Sequence, residues 1–588
     1  MASRLTSFEM LYELVDVEAA SSSTLSAENI KDWGDLDLLE DEDSTYPDQM
    51  TLEHNFSVLD GGLPEFDTDT SDISFFADTM SNASGQWASG DEPTLDISFT
   101  GLHSSYAFTF HFINEEYREA EITWMMNSVI IVHGQYDLSG KEVTVREDVE
   151  SYNRMIVKFN KAEPYRYIKM DGIYYGIKLL WDETWVKNGK LTKEISRISE
   201  KIPIDSLNFE LVDTTFGDMN LGNQSGIWRF FQKNQPMYAY EYVNDDKIAL
   251  GKFFLNTFSN DKGLAKMTAY SYMQLLDSNQ FINGELYNGK KAGELLDQIF
   301  TENGIDDYEI DSVTYNQLLY GTLAPQTYRN AIKEILFACQ SVIDTSDPEK
   351  VKVYKPDPYI YDTKSRGTKF STVVSDTEYI SQIEVVYATY LLEDEASNIV
   401  EGVFYPTGSH RVVLSNMCQT SSVTFSDSTY LTDIDINPYY IDFTCTEDVT
   451  LTISGKSYQK VDNSAIAKRE LDPGQFEKSK SFNSTLCDYA TALAVAQKVL
   501  KYYSNDRDIK IKALASDAVM DGSYLIQNSS SKYNDFVGFY TSKTLDLTGG
   551  FIEDSKFLGA FDTSNTNYYG RDTSDTEADI IMDDNKII

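Results

Sequence analysis

Residues 95–112, LDISFTGLHSSYAFTFHF, decide the fold class. Phe108, Phe110 and Phe112 fall on one face of this run, and Thr109 and His111 on the other. A period of two is the mark of a strand with one buried side. AEITWMMNSVIIVHGQYD (120–137) and RMIVKFNKAEPYRYIKMDGIYYG (154–176) supply further strands, divided by polar turns. Short strands at regular spacing predict a sandwich. Residues 51–178 are therefore expected to form a jelly roll.

Upstream, residues 1–50 form a leading segment of their own, a strand-like run from Phe8 to Val17 followed by the acidic stretch DLDLLEDED at 35–43. Such charge density predicts an exposed loop. Downstream, IDSLNFELVD (204–213), IWRFFQKNQPMYAYEYV (227–243) and KIALGKFFLNTFS (247–259) predict a small barrel over 179–260. Then the period changes. LAKMTAYSYMQLLD (264–277) reads as helical, and Ala292, Leu295, Leu296, Ile299 and Phe300 share one helical face. A third helix is placed from Pro325 to about Ile343, which assigns an α/β unit to 261–355. From 356 to 558 strands return as a second barrel and further β structure, interrupted by a helix from Thr485 to Tyr503. Residues 559–588 read as a flexible acidic tail. The fold class is mainly β and multidomain with an α/β part.

Composition sets the outer bounds. The chain has 588 residues, 41% hydrophobic and 13% aromatic, which excludes a collagen-like fibre or a wholly disordered chain. Asp and Glu number 94 against 49 Lys and Arg, a formal charge of -45. Nucleic acid is held by clustered cations, and no basic run occurs, so specific DNA binding is not expected. The sequence shows neither a signal peptide nor an apolar run of 18 residues, and synthesis in the cytoplasm without a membrane span is expected. Cys339, Cys418, Cys445 and Cys487 form no CxxC pair, and Cys339 and Cys487 lie in apolar helical patterns.

Catalytic signatures are sparse. The five histidines are His54, His103, His111, His133 and His410, and no HExxH, GxSxG or GxxxxGK[ST] occurs. A nucleophile–His–acid set has no fixed spacing by which a sequence would display it. Asp67, Asp69 and Asp72 in DTDTSD are hard oxygen donors without the glycine and distal glutamate of an EF-hand, and Asp433 with Asp435 is a weaker pair. No catalytic residue, metal site or cofactor is assigned. Trp87, His103, Tyr106 and Trp124, with Tyr165 and Tyr167, are the candidates for a sugar-stacking platform; the competing reading places alternating aromatics in the core.

The order of segments resembles the hub or tail-tip protein of Firmicute phages and prophages, a tail-associated protein related in fold to the myophage baseplate hub. NFSVLDG (55–61), DISFTGLHSSYAFTFHF and PYRYIKMDGIYYG (164–176) are similar to its inserted carbohydrate-binding-like sandwich. ISEKIPIDSLNFELVD (198–213), FFQKNQPMYAYEYV (230–243) and LGKFFLNTF (250–258) are similar to its first barrel. AYSYMQLLDSNQFINGELYNGKKAGELLDQIFTENGI (269–305) and TYRNAIKEILFACQSVIDTS (327–346) are similar to its helix-bearing domain, and ATALAVAQKVLKYY (490–503) to its last segment.

The resemblance implies a non-enzymatic virion protein at the distal end of the tail. It implies a homotrimeric ring that closes or continues the tail tube, adapts its symmetry to the tip and lines the channel for genome ejection. Expected partners are the distal tail protein, the tail tube protein, the tape measure protein and receptor-binding or fibre proteins; DNA would pass without specific binding. Host-wall carbohydrate is a further expected partner if the sandwich binds glycan, and a tail-associated hydrolase is the third reading. A contractile or bacteriocin-like particle would use the same hub. The hub-like text ends near 555, which argues against a built-in lytic extension.

Overall fold

The computed structural model describes residues 6–30, 75–113, 115–212, 226–243, 246–261, 264–345, 350–356, 369–471, 476–514, 520, 524–526, 535–548 and 552–561. The acidic stretch 35–43, NFSVLDG, His54, the DTDTSD run and all but the first three residues of the acidic tail lie outside the described residues. The protein is mainly β, with several sheets and a helix-bearing part.

The sandwich is a seven-stranded sheet folded over one core. Two long strands, Thr94–Phe112 and Glu142–Ala162, pair with each other and run through both layers. The first half of Thr94–Phe112 also pairs with Ser23–Glu28, and the second half with Lys169–Tyr174. At the corner the pairing register breaks between Ser98 and His103, so Thr100, Gly101 and Leu102 bulge out. A bulge bends its strand and re-aims the side chains beside it. Phe108, Phe110 and Phe112 are fully buried, as the alternation requires. Thr109 on the opposite face is buried too, because that face packs on the neighbouring unit; its hydroxyl lies 3.0 Å from both the Thr144 hydroxyl and the Gly176 carbonyl.

That neighbour corrects the reading of the N-terminus. Thr6–Val15 is no separate segment. It lies between Pro236–Val243 and Gly176–Asp182 in the barrel sheet, with Phe8, Met10, Tyr12 and Leu14 buried. The sandwich is thus inserted between two adjacent strands of one sheet. The barrel unit contains seven strands, ending in Gly176–Asp182 and Val186–Glu194. The turn between those two end strands draws the sheet round on itself. Leu264–Tyr270 is the other correction: it is a strand between Ser206–Val212 and Asp246–Asp261, and only Tyr272–Ser278 is helical.

The pairing does not stop at the barrel. Lys190–Glu194 pairs with Ser542–Asp546, fusing the barrel to a C-terminal β unit built from Lys369–Asp376, Arg507–Leu514, Ile552–Phe561 and Phe536–Asp546. One sheet of twelve strands results. The helices Ala292–Glu302 and Tyr328–Cys339 share a core with helix Tyr489–Tyr502 and with strands Gln382–Leu392 and Tyr458–Lys468. A division at 355 therefore cuts through one core. Residues 397–455 fold as two three-stranded sheets around a core of their own, an insertion that the sequence reading merged with the second barrel.

Candidate functional site

The four aromatic candidates do not form one exposed face. Trp124 is fully buried, its ring 5.1 Å from Phe108 and 5.8 Å from Tyr136. Strand alternation aims it inward, so no sugar can reach its face. Trp87 is half-buried against the same core, its indole N–H donating to the Thr79 carbonyl at 3.1 Å. Tyr106 turns the other way and packs on the barrel core, 5.7 Å from Phe230. Tyr167 packs at a tilt on Phe76, ring centroids 5.2 Å apart, and Tyr165 has a left-handed backbone with φ of 63°.

His103 lies elsewhere again, at the corner bulge where the sandwich meets the barrel, and is 4% exposed. Its Nδ1 lies 3.2 Å from Asp16 Oδ2, and its Nε2 lies 2.9 Å from Ser22 Oγ. Asp16 follows the barrel strand Thr6–Val15, and Ser22 ends the short helix Ala19–Ser22 that leads into the sandwich. The Asp16 carboxylate also accepts from the backbone N–H groups of Glu18 and Ser104, both at 3.1 Å. One donor on each carboxylate oxygen fixes its orientation. The ring plane is set by Phe99 at 5.2 Å and Tyr152 at 6.2 Å. Sequence reasoning named His103 but missed Asp16 and Ser22, since spacings of 6 and 81 residues carry no motif.

The junction is reinforced nearby. Arg229 from the barrel bonds Asp148 of the sandwich at 3.0 Å and also Glu150. Gly176, where the chain returns to the barrel, would place a Cβ 2.3 Å from the Leu14 carbonyl, so only glycine fits there.

The remaining candidates have local partners. His133 lies 3.0 Å from the Thr123 hydroxyl, and His410 Nε2 lies 2.6 Å from the Pro406 carbonyl. All four thiols are buried and unbridged; burial pushes Cys339 and Cys487 up to about 12, which leaves them unreactive near neutrality. Among the described residues no group of three metal-ligating side chains assembles, and no helix is long and apolar enough to cross a membrane.

No family model matches the sequence, and no curated protein sequence matches it. Solved structures do. A tail protein from Neisseria meningitidis MC58 aligns with a TM-score of 0.36 and 11% identity, over 63% of this chain and 91% of its own. Prophage tail protein gp18 from Listeria monocytogenes EGD-e aligns with a TM-score of 0.36 and 9% identity, over 65% of this chain and 91% of its own. The family 32 carbohydrate-binding module of Clostridium perfringens NanJ, solved with galactose, aligns with a TM-score of 0.18 and 9% identity, over 29% of this chain and 99% of its own. Tail proteins and a carbohydrate-binding module are thus among the solved chains that this mainly β protein is similar to.

Proposed function

We propose that the chain is a structural hub of a phage-type tail tip, acting as a homotrimeric ring around the channel for genome ejection. The observation that carries this reading is the twelve-stranded sheet: two β units of one chain are joined edge to edge through a single strand pairing. Three such chains would supply six units, the count needed to meet a sixfold tube from a threefold tip. The Lys369–Asp376 strand ends the sheet with only Arg507–Leu514 as its partner among the described residues, and it exposes Val373 and Val374. A bare edge of this kind invites a strand from a neighbour, and a head-to-tail contact repeated by a closing rotation makes a ring.

The sandwich hangs from this sheet as an insertion, and the 397–455 unit from the separate pair Gln382–Leu392 and Tyr458–Lys468, so both can vary without disturbing the ring. In this role the chain needs no cofactor. Its partners are the other copies, the distal tail and tube proteins, the tape measure protein and receptor-binding fibres. The formal charge of -45 suits a lumen that DNA must pass without adhering.

Single-particle imaging of the purified particle tests the proposal. A threefold ring of this chain at the distal end of the tube, with sandwiches outward and carboxylates on the inner wall, is the expected result. A chain found once per fibre, or absent from particles, would overturn the hub role; a neutral or basic wall would overturn the role given to charge.

A further inference from the structure

We propose that Ser22, His103 and Asp16 form an acyl-transfer site at the corner of the sandwich, able to hydrolyse uncharged esters of small carboxylic acids. The order of contacts is that of a nucleophile, its base and the group that orients the base. Ser22 Oγ lies 2.9 Å from His103 Nε2, and His103 Nδ1 lies 3.2 Å from Asp16 Oδ2. Asp16 accepts from two backbone N–H groups and keeps accepting capacity on Oδ2, so it takes the Nδ1 proton as a further hydrogen bond and leaves Nε2 as the acceptor facing the serine hydroxyl.

The acid and the base are buried and the nucleophile is the more accessible member. Asp16 is 8% and His103 4% exposed, while Ser22 is half-buried at the surface. The bulge at Thr100–Leu102 borders the relay. A Cβ built at Gly101 would meet nothing within 4 Å, which shows open space there, and Leu102 is 55% exposed beside it. Leu102 offers an apolar wall for a short acyl group. Glu18, Asp148 and Glu150 lie around this corner against the single cation Arg229, which leaves an excess of negative charge, so an anionic substrate would be repelled and a neutral ester admitted.

The chemistry balances without any other reagent than water. Ser22 Oγ bonds to the acyl carbon while its proton moves to Nε2 and the carbonyl π pair moves onto oxygen. Collapse breaks the ester C–O bond, and the departing alkoxide takes the proton from Nε2, leaving an acyl-serine. Water then attacks that carbon, gives a proton to Nε2, and the proton returns to Ser22 Oγ as the acid leaves. Two contacts compete at rest: Ser22 Oγ is also 3.2 Å from the Ala19 carbonyl, and the Thr100 carbonyl is 3.4 Å from Nε2. The second can accept from Nε2 only once that nitrogen carries a proton, so it favours the imidazolium that the mechanism forms.

A structural latch would use the same contacts, and a covalent probe separates the two. The full chain is treated with a biotinylated fluorophosphonate, the labelled residue is mapped by mass spectrometry, and release of nitrophenol from p-nitrophenyl acetate is followed. Label on Ser22 is expected, lost in Ser22→Ala together with a fall in turnover of roughly 100-fold or more. Asp16→Asn tests the positioning residue: it should slow labelling and alter the pH profile of turnover while Ser22 remains the labelled site. No label on wild-type Ser22, or equal turnover by Ser22→Ala, would overturn the proposal. Neither outcome bears on the ring, which rests on the pairing of Lys190–Glu194 with Ser542–Asp546 and not on these side chains.

Discussion

Replacing Trp124 by alanine removes a fully buried indole held between Phe108 and Tyr136. Cavities of that size cost about 3–5 kcal/mol, so the sandwich should unfold at distinctly lower urea while the C-terminal β unit keeps its transition. A loss of glycan binding with unchanged stability would instead restore the platform reading. Lys498 makes a second test at this scale. Burial, with Lys355 and Arg197 near, lowers its ammonium to about 7 from 10.5, and its Nζ donates to the Gln340 carbonyl. Between about pH 7 and 10.5 the unfolded chain holds a proton that the folded chain lacks, so stability rises with pH through that window and is lowest below it. Lys498→Met should raise the thermal midpoint at pH 6.5 and flatten its slope from pH 7 to about 10; an unchanged slope would sink the assignment. Residue fates of this kind were half legible. Alternation alone aims Trp124 inward, yet nothing local in the sequence says that Tyr106 faces the barrel or that His103 meets residues 16 and 22.

Helices show where local pattern suffices and where it fails. Asp488 caps Tyr489–Tyr502 by accepting the Thr491 N–H at 2.8 Å, and Thr327 caps Tyr328–Cys339 by accepting the Asn330 N–H at 3.3 Å. Apolar periodicity found both helices but began them early, at Thr485 and Pro325, because a stripe does not mark the residue where backbone dihedrals turn helical. Asp488→Ala should cost about 1 kcal/mol and speed hydrogen exchange in the first turn of that helix alone; faster exchange throughout the helix would mean that the cap does more than close one end. Leu264–Tyr270 failed for a different reason. Its inward residues are Ala265, Met267 and Ala269, too small and too few to separate a period of two from one of 3.6. Tertiary pairing on both sides then decides the matter.

At the scale of the molecule, strand content was legible and strand partnership was not. Thr6–Val15 pairs with residues more than two hundred positions away, and Val186–Glu194 with Phe536–Asp546; such registers leave no local mark. The second pairing is also where the two β units are held together, and it places Lys193 opposite Lys543, both buried. Lys543 Nζ lies 3.3 Å from Glu553 Oε2, and Glu553, fully buried, also accepts from the Tyr540 hydroxyl at 3.2 Å and from Ser555. An ion pair out of water repays its desolvation only while both partners remain. Glu553→Gln keeps the shape and removes the countercharge, so it should destabilise the C-terminal unit by about 3–5 kcal/mol. Replacing the pair together, Lys543→Met with Glu553→Leu, should cost much less, since neither charge of the pair is then left without the other. Calorimetry reports the two losses, and hydrogen exchange at residues 542–546 reports whether the seam itself has loosened. If the single and double variants lose the same stability, the pair is not what holds the charge in place; if the single variant splits one transition into two, the ion pair supports the strand through which the two β units melt as one.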